Sequence, residues 1–177
     1  IARAVEQHRP DEVEMLAHHF LTARMPERAA VYLERAASRA MAVHAYDTAV
    51  LHLERASAAL DEIDGAKERR FAVASLQEEV LDVLGRRDDQ RHAVLRLERF
   101  AAGPQRSMAL TRKAWWLAHR DEFQQAVDTA REALALAEQE GDAGPTVAAL
   151  TALGMIACFA GKATEGVEYL ERAATFR

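Results

Sequence analysis

The chain has 177 residues and a net charge of −5, and half of its residues are apolar although only 6% are aromatic. This length allows one domain or a run of stacked repeats, and the dispersed negative charge argues against a nucleic-acid surface, which usually carries a basic stripe. Cys158 is the only cysteine, so no disulfide can form within the chain, and we expect a reducing, cytoplasmic setting.

The longest stretch without a charged residue, 143–161, does not predict a membrane span. Gly144, Pro145 and Gly154 interrupt it, whereas a spanning helix needs about 20 consecutive, mainly apolar residues. No amino-terminal signal peptide is visible. Because the chain begins with Ile and residues 1–9 have the pattern of a helix tail, we expect a fragment of a longer protein. Because no stretch predicts a membrane span, we expect no membrane contact.

Helix-start and helix-stop signals divide the chain into nine predicted helices. All four prolines stand where a helix is expected to begin, because a missing N–H costs nothing at the first helical position. Glycines stand at the expected helix ends, where a left-handed backbone is common. No segment alternates apolar and polar residues, so we predict no strand. The predicted helices cover residues 11–23, 26–43, 46–61, 66–85, 89–102, 104–119, 121–140, 145–160 and 162–176.

One short helical signature recurs in five of these helices. The sequence Tyr-Leu-Glu-Arg-Ala-Ala occurs at 32–37 and again at 169–174, and looser versions occur at 53–56, 97–100 and 130–133. A small residue precedes each copy by one helical turn and lies on the same face. Small residues allow a neighbouring helix to approach closely, so the repetition predicts a helical repeat array. The small residues are Ala29, Ala49, Ala93, Ala126 and Gly166.

From Leu110 onward the chain resembles the tetratricopeptide repeat. The matching positions include Ala126, Leu153, Gly154, Gly166 and Leu170, while Lys113 and Ala163 depart from the usual pattern. Glycine inside a helix costs roughly 1 kcal/mol relative to alanine, so Gly154 and Gly166 predict a close helix crossing. The resemblance implies an all-α fold of antiparallel helical hairpins stacked as a right-handed superhelix, in one domain over 1–177. The hairpins are expected at about 11–43, 46–85, 89–119 and 121–160, with a last helix at 162–176.

The amino-terminal half resembles the helical repeat segment of large bacterial signal-transduction ATPases, including LuxR-type transcriptional regulators. The matching stretches are 16–20, 29–37, 45–46 and 53–56. The resemblance implies a non-catalytic interaction and scaffold module within a bacterial regulator, with the ATPase and DNA-binding parts outside this chain. The expected partner is a protein or peptide, with the parent's own ATPase module and a second copy of the chain as candidates. Two alternatives stay open: a free-standing peptide-binding adaptor and a small-molecule sensor.

The tetratricopeptide resemblance also implies a concave groove lined by the first helix of each hairpin. An apolar groove that bears Met and Trp suits an extended or helical peptide. Packing of the same side chains between repeats is the competing interpretation, and Trp116 in particular is expected to point inward. Cys158 is also expected beside the groove. The groove residues implied by the consensus alignment are Thr111, Trp115, His119, Thr151, Met155 and Phe159.

No catalytic residue, metal site or cofactor is predicted, so we expect no enzyme activity. The chain has no phosphate-binding G-x-x-x-x-G-K-[ST] loop and no H-E-x-x-H pair. His18 and His19 are adjacent and point about 100° apart on a helix, so they do not share an ion easily. A basic cluster from Lys67 to Arg91 is expected to pair locally with Glu68, Asp88 and Asp89.

Interior positions of the fourth predicted helix follow from its apolar periodicity. Phe71, Leu76, Val80 and Val83 are expected to face inward.

Overall fold

A computed structural model describes residues 12–176, which form nine α-helices and no strand. The predicted tail of a preceding helix at 1–9 and the predicted helix start at Pro10 lie outside the described residues. The helices are α1 Val13–Thr22, α2 Pro26–Ala42, α3 Tyr46–Asp61, α4 Lys67–Val83, α5 Arg87–Phe100, α6 Gln105–Ala118, α7 Phe123–Glu140, α8 Ala143–Phe159 and α9 Ala163–Thr175. The all-α prediction is therefore confirmed over this part of the chain.

The prolines mark helix starts in three slightly different ways. Pro26 is the first residue of α2, as predicted, and Pro104 directly precedes α6. In contrast, α8 begins at Ala143, two residues before Pro145. The earlier start is possible because Asp142 caps the helix, its Oδ1 accepting a hydrogen bond from the Gly144 N–H at 3.1 Å. Pro145 then lies in the first turn, where its missing N–H is not needed.

The helix ends follow the predicted glycines. Gly65, Gly85, Gly103, Gly141 and Gly161 all take positive φ, between 51° and 78°. Three further turns reach the same left-handed region without glycine, and the sequence gives no signal for them. Their residues are Arg24, His44 and Asp121, with φ of 51°, 58° and 60°.

The chain divides into two compact units, one ending at Arg86 and the other beginning at Arg87. In the first unit, the pairs α1–α2, α2–α3 and α3–α4 pack together. The short turns between these packed helices make consecutive helices antiparallel. Phe20 and Tyr32 stack their rings at 5.4 Å between centroids, and Leu16, Leu33 and Leu53 are fully or almost fully buried.

The predicted interior of α4 is only partly correct. Phe71 and Val80 are buried, but Val83 is 60% exposed. Val73, Ala74 and Leu81 supply buried positions instead. Val83 lies two residues beyond Leu81, about 200° around the helix, so both cannot face the same core.

The second unit contains α5 to α9. The pairs α5–α6, α6–α7, α7–α8 and α8–α9 pack together, and α6 also contacts α8. Alanines dominate the buried cluster, together with Leu117, Leu150, Leu153 and Ile156. The small residues of the recurring signature are buried in both units, which confirms the close-packing prediction for Ala29, Ala49, Ala93, Ala126 and Gly166.

None of the helices within residues 12–176 combines the length and the apolar character needed to cross a bilayer.

Candidate functional site

Five of the six predicted groove residues lie on α6 and α8, and His119 directly follows the last residue of α6. The two helices contact each other although α7 separates them in sequence. On α8, Thr151, Met155 and Phe159 recur every four residues and form one stripe. Met155 is 38% exposed and Phe159 60% exposed, whereas Leu153 and Ile156 on the same helix are fully buried. The large apolar side chains of α8 therefore divide into a buried set, Leu150, Leu153 and Ile156, and an exposed pair, Met155 and Phe159.

The predicted residues of α6 differ in accessibility. Thr111 is buried, and its hydroxyl donates to the Ser107 carbonyl of the same helix at 2.9 Å. It consequently offers little surface to a partner. Trp115 is half-buried and its ring stacks on the exposed His119, with centroids 6.1 Å apart. We refer to Trp115, His119, Thr151, Met155 and Phe159 as the α6/α8 surface.

Sequence reasoning missed one further apolar side chain on α6. Met108 is 37% exposed and stands two helical turns before Trp115, so it lies on the same stripe. The seven-residue spacing from Met108 to Trp115 is the signal that could have found it.

Cys158 was expected beside the groove, and that prediction is wrong. The thiol sulfur stands where a Cβ of residue 166 would be built, so the side chain is directed toward α9. Cys158 lies only about 60° around α8 from Met155, but on the side that faces α9. The missing side chain at Gly166 provides the space for it.

Trp116 faces inward, as predicted. It is buried, its Nε1–H donates to the Arg87 carbonyl at 3.0 Å, and the Arg120 guanidinium lies 5.2 Å from its ring centroid. Adjacent residues of a helix point about 100° apart, which explains why Trp115 and Trp116 have different surroundings.

Several arginines of the basic cluster are paired, but not with the predicted acids. Arg69 forms its ion pair with Glu34 of α2 at 2.6 Å rather than with Glu68, Asp88 or Asp89. Arg70 donates to the Leu60 carbonyl at 2.9 Å and the Ile63 carbonyl at 2.7 Å, at the end of α3. These arginines therefore connect helices instead of forming an open anion site.

Among residues 12–176, two ionisable sites have clearly shifted pKa values. Burial lowers the pKa of His52 on α3, with a smaller opposing effect from Glu14 and a lowering effect from Arg55. A hydrogen bond from Arg131 of α7 lowers the pKa of the exposed Glu165 of α9, and the same contact raises that of Arg131. Neither site lies on the α6/α8 surface.

The described residues were also compared with the expectation that the chain has no metal site. Within 12–176, no three His, Cys, Asp or Glu side chains are grouped to hold a metal ion. Three concavities, of about 250, 460 and 590 Å³, are lined by other residues than the six predicted for the groove. On the α6/α8 surface, Met155 and Phe159 are exposed one turn apart along α8.

Comparison with known proteins gives a fold and no family. No protein-family model and no curated protein sequence matches the chain. Among solved structures, the chain is similar to the nearly identical TPR-like repeats of a Podospora anserina protein assigned as a kinesin light chain. These repeats have a TM-score of 0.68 and 16% identity over 99% of this chain and 90% of that one. A variant of them, in which methionine replaces one glutamine, has a TM-score of 0.70 and 17% identity over the same shares.

A second protein with this architecture is YrrB, described as a TPR protein with an unusual peptide-binding site. It has a TM-score of 0.61 and 16% identity over 99% of this chain and 91% of that one. At these identities the similarity concerns the fold alone. The chain therefore has a tetratricopeptide-like helical repeat fold, as its recurring signature predicted.

Proposed function

We propose that the chain is a non-catalytic protein-interaction module that binds a peptide segment of a partner protein on the α6/α8 surface. The observation that carries this proposal is the exposure of Met155 and Phe159, two large apolar side chains one turn apart on α8. A large apolar side chain exposed beside others of its kind commonly marks a binding surface. The half-buried Trp115 and the exposed Met108 extend the apolar area onto α6.

The composition of this surface favours an apolar peptide face over a charged one. Methionine adapts its shape to different partners, and aromatic side chains contribute most of the energy at many interfaces. The partner is then expected to present apolar side chains along one side of a helix or extended segment. The unusual peptide-binding site of YrrB supports the proposal, as an example of peptide contact on the same fold in that protein.

The biological setting that we propose is a bacterial transcriptional regulator or signalling ATPase of the LuxR-related type. The stretches 16–20, 29–37 and 53–56 support it through their resemblance to the repeat segments of such regulators. The partner segment would then come from the parent's own ATPase module. Sequencing the gene on both sides of this chain tests the setting: a nucleotide-binding module upstream is expected, and a gene that encodes only the repeats contradicts it.

Peptide selection tests the binding function directly. We would select peptides from a displayed random library against the chain and measure their affinity by fluorescence anisotropy. Met155→Glu and Phe159→Glu should each weaken the selected peptides about tenfold or more, because a charge replaces an apolar contact. Leu51→Glu is the matched control, since Leu51 is 45% exposed on α3, outside this surface. Equal affinities for all three variants and the wild type would contradict the proposal.

A second copy of the chain is the alternative occupant of the same surface. Sedimentation equilibrium distinguishes it, because the chain would then be a dimer without added peptide and Phe159→Glu would convert it into a monomer.

A further inference from the structure

A cavity of about 590 Å³ opens in the first unit, where the turn between α1 and α2 meets the end of α3. Because α2 and α3 pack as antiparallel neighbours, the first residues of α2 lie beside the last turns of α3. Leu21, Met25, Pro26 and Ala58 contribute apolar surface to the cavity. Leu21 is 36% exposed, although the periodicity of α1 would place it with the buried Phe20. The volume falls within the range of roughly 300–1,000 Å³ that is common for ligand sites.

Two arginines, Arg24 and Arg55, line this cavity together with the apolar side chains. Within residues 12–176, neither guanidinium forms an ion pair or a side-chain hydrogen bond. Their neighbours behave differently: Arg28 lies over the Phe20 ring at 5.2 Å, and Arg70 caps α3. Arg24 belongs to the α1–α2 turn and has a left-handed backbone, with φ of 51°. The cavity therefore combines two unpaired planar cations with an apolar wall.

We propose that this cavity is a second recognition site, which takes a peptide segment that carries an apolar side chain beside a single carboxylate. A guanidinium forms paired hydrogen bonds with a carboxylate in a geometry that lysine cannot reproduce. The apolar wall supplies the contact for the neighbouring side chain of the segment. Glu62 lines the same cavity and adds one negative charge. Its charge opposes a second carboxylate, so a run of acidic residues fits the site less well than one acid among apolar residues.

Binding of a defined peptide tests this site. The probe is a fluorescein-labelled peptide with one Glu between leucines, acetylated and amidated at its ends. The control peptide is identical except that Gln replaces the Glu. We expect the Glu peptide to bind the full chain and Arg24→Gln/Arg55→Gln to weaken it about tenfold or more, as measured by anisotropy. The Gln peptide should bind weakly and equally to both proteins. Glu62→Gln should tighten binding of a peptide with two adjacent Glu residues.

Arg91→Gln/Arg106→Gln is the matched control, because it removes the same charge from exposed arginines of α5 and α6. If this control weakened the binding of the Glu peptide equally, the effect would come from the overall charge of the protein, and the proposed site would be overturned. Equal affinity of the Glu and Gln peptides, or no binding up to about 1 mM, would overturn it as well. Displacement by 4-methylpentanoate at the same molar concentration as the peptide would assign the cavity to a small organic acid instead.

Unfolding by urea checks that the double variant keeps its fold, since among residues 12–176 neither arginine forms an ion pair or a side-chain hydrogen bond whose loss should lower stability. This site lies in the first unit and the α6/α8 surface in the second. Failure of the Arg24/Arg55 experiment therefore leaves the proposed function untouched, and failure of the Met155 and Phe159 variants leaves this cavity untouched.

Discussion

The carbonyl oxygen of Gly154 lies 2.6 Å from the position that a Cβ of residue 166 would occupy, and the Gly166 carbonyl lies 2.8 Å from a Cβ of residue 154. At each glycine, a backbone carbonyl of the opposite helix occupies the space that a side chain would need. The backbones of α8 and α9 are therefore almost in contact where the two helices cross. Leu170, one turn after Gly166, fills the remaining space, since its Cγ lies 2.7 Å from the same Cβ position at 154. At this crossing, the small residue of the recurring signature allows the close approach, and the apolar residue one turn later packs beside it.

Gly166→Ala and Gly154→Ala should each destabilise the second unit by about 1–3 kcal/mol, because the added methyl overlaps a backbone oxygen that cannot rotate away. This cost opposes the gain in helix propensity of roughly 1 kcal/mol from replacing glycine. Urea unfolding followed by circular dichroism measures the change. Gly144→Ala is the control: a Cβ there meets only the Asp142 Oδ1, at 3.6 Å, so its stability should be unchanged or higher. Equal stability of all three variants would contradict the close crossing.

Arg70 is expected to stabilise the first unit by closing the carboxyl-terminal end of α3. Its guanidinium donates to the Leu60 carbonyl in the last turn of α3, which also accepts the Ile63 N–H at 3.1 Å, and to the Ile63 carbonyl just beyond the helix. Arg70→Gln should lower the free energy of unfolding by about 1–3 kcal/mol, the usual range for hydrogen bonds to a charged group. Arg172→Gln provides a comparison, because the Arg172–Glu138 pair is about half exposed and should contribute less than about 1 kcal/mol. A larger loss from Arg172→Gln than from Arg70→Gln would show that the helix end is satisfied in another way.

His52 should make the stability of the first unit depend on pH. Burial lowers its pKa in the folded chain below the ordinary value of 6.5, more than the charge of Glu14 raises it, and Arg55 acts in the same direction as burial. As the pH falls through 6.5, the unfolded chain takes up a proton that the folded chain does not, so the free energy of unfolding falls. His52→Gln removes this titration and should flatten the dependence. The test is chemical unfolding at several pH values around 6.5; an unchanged slope in His52→Gln would assign the pH dependence to other groups.

Lys113 stands where the repeat consensus usually has leucine, and its ammonium pairs with Glu98 of α5 at 2.8 Å. Both side chains are only about one-third exposed, at 33% and 28%. Lys113→Met should therefore cost about 1–2 kcal/mol, because it leaves a partly buried carboxylate without its cation. Replacing both residues by leucine should recover most of this loss. A double-mutant cycle measures the coupling, and a value near zero would show that the pair contributes nothing.

Helix positions were largely predictable because their signals are local. Proline and glycine act on the backbone of their own residue, so Pro26 and Gly141 mark a start and an end whatever surrounds them. The buried alanines of the recurring signature were predictable for a related reason. In each copy of the signature, the small residue stands one helical turn before a larger apolar residue. A helix contact that is repeated along the chain explains this constant spacing.

The errors concern orientation and partners. Val83 fitted the apolar period of α4 but lies on the solvent side, and Cys158 belongs to the contact with α9. Arg69 pairs with Glu34, 35 residues away in sequence, where local spacing suggested closer acids. In each case a neighbouring helix decides which of several similar positions is covered or paired.

The sequence by itself determined the helices, their short connections and the small residues at their crossings, since these depend on backbone preferences and on spacing along one helix. Tertiary structure alone decided which stripe of α6 and α8 stays exposed, and it alone brought Arg24 and Arg55 to one cavity. The physical reason is that exposure and charge pairing depend on what lies across the gap between helices, and a chain of similar amphipathic helices leaves many such arrangements open until they pack.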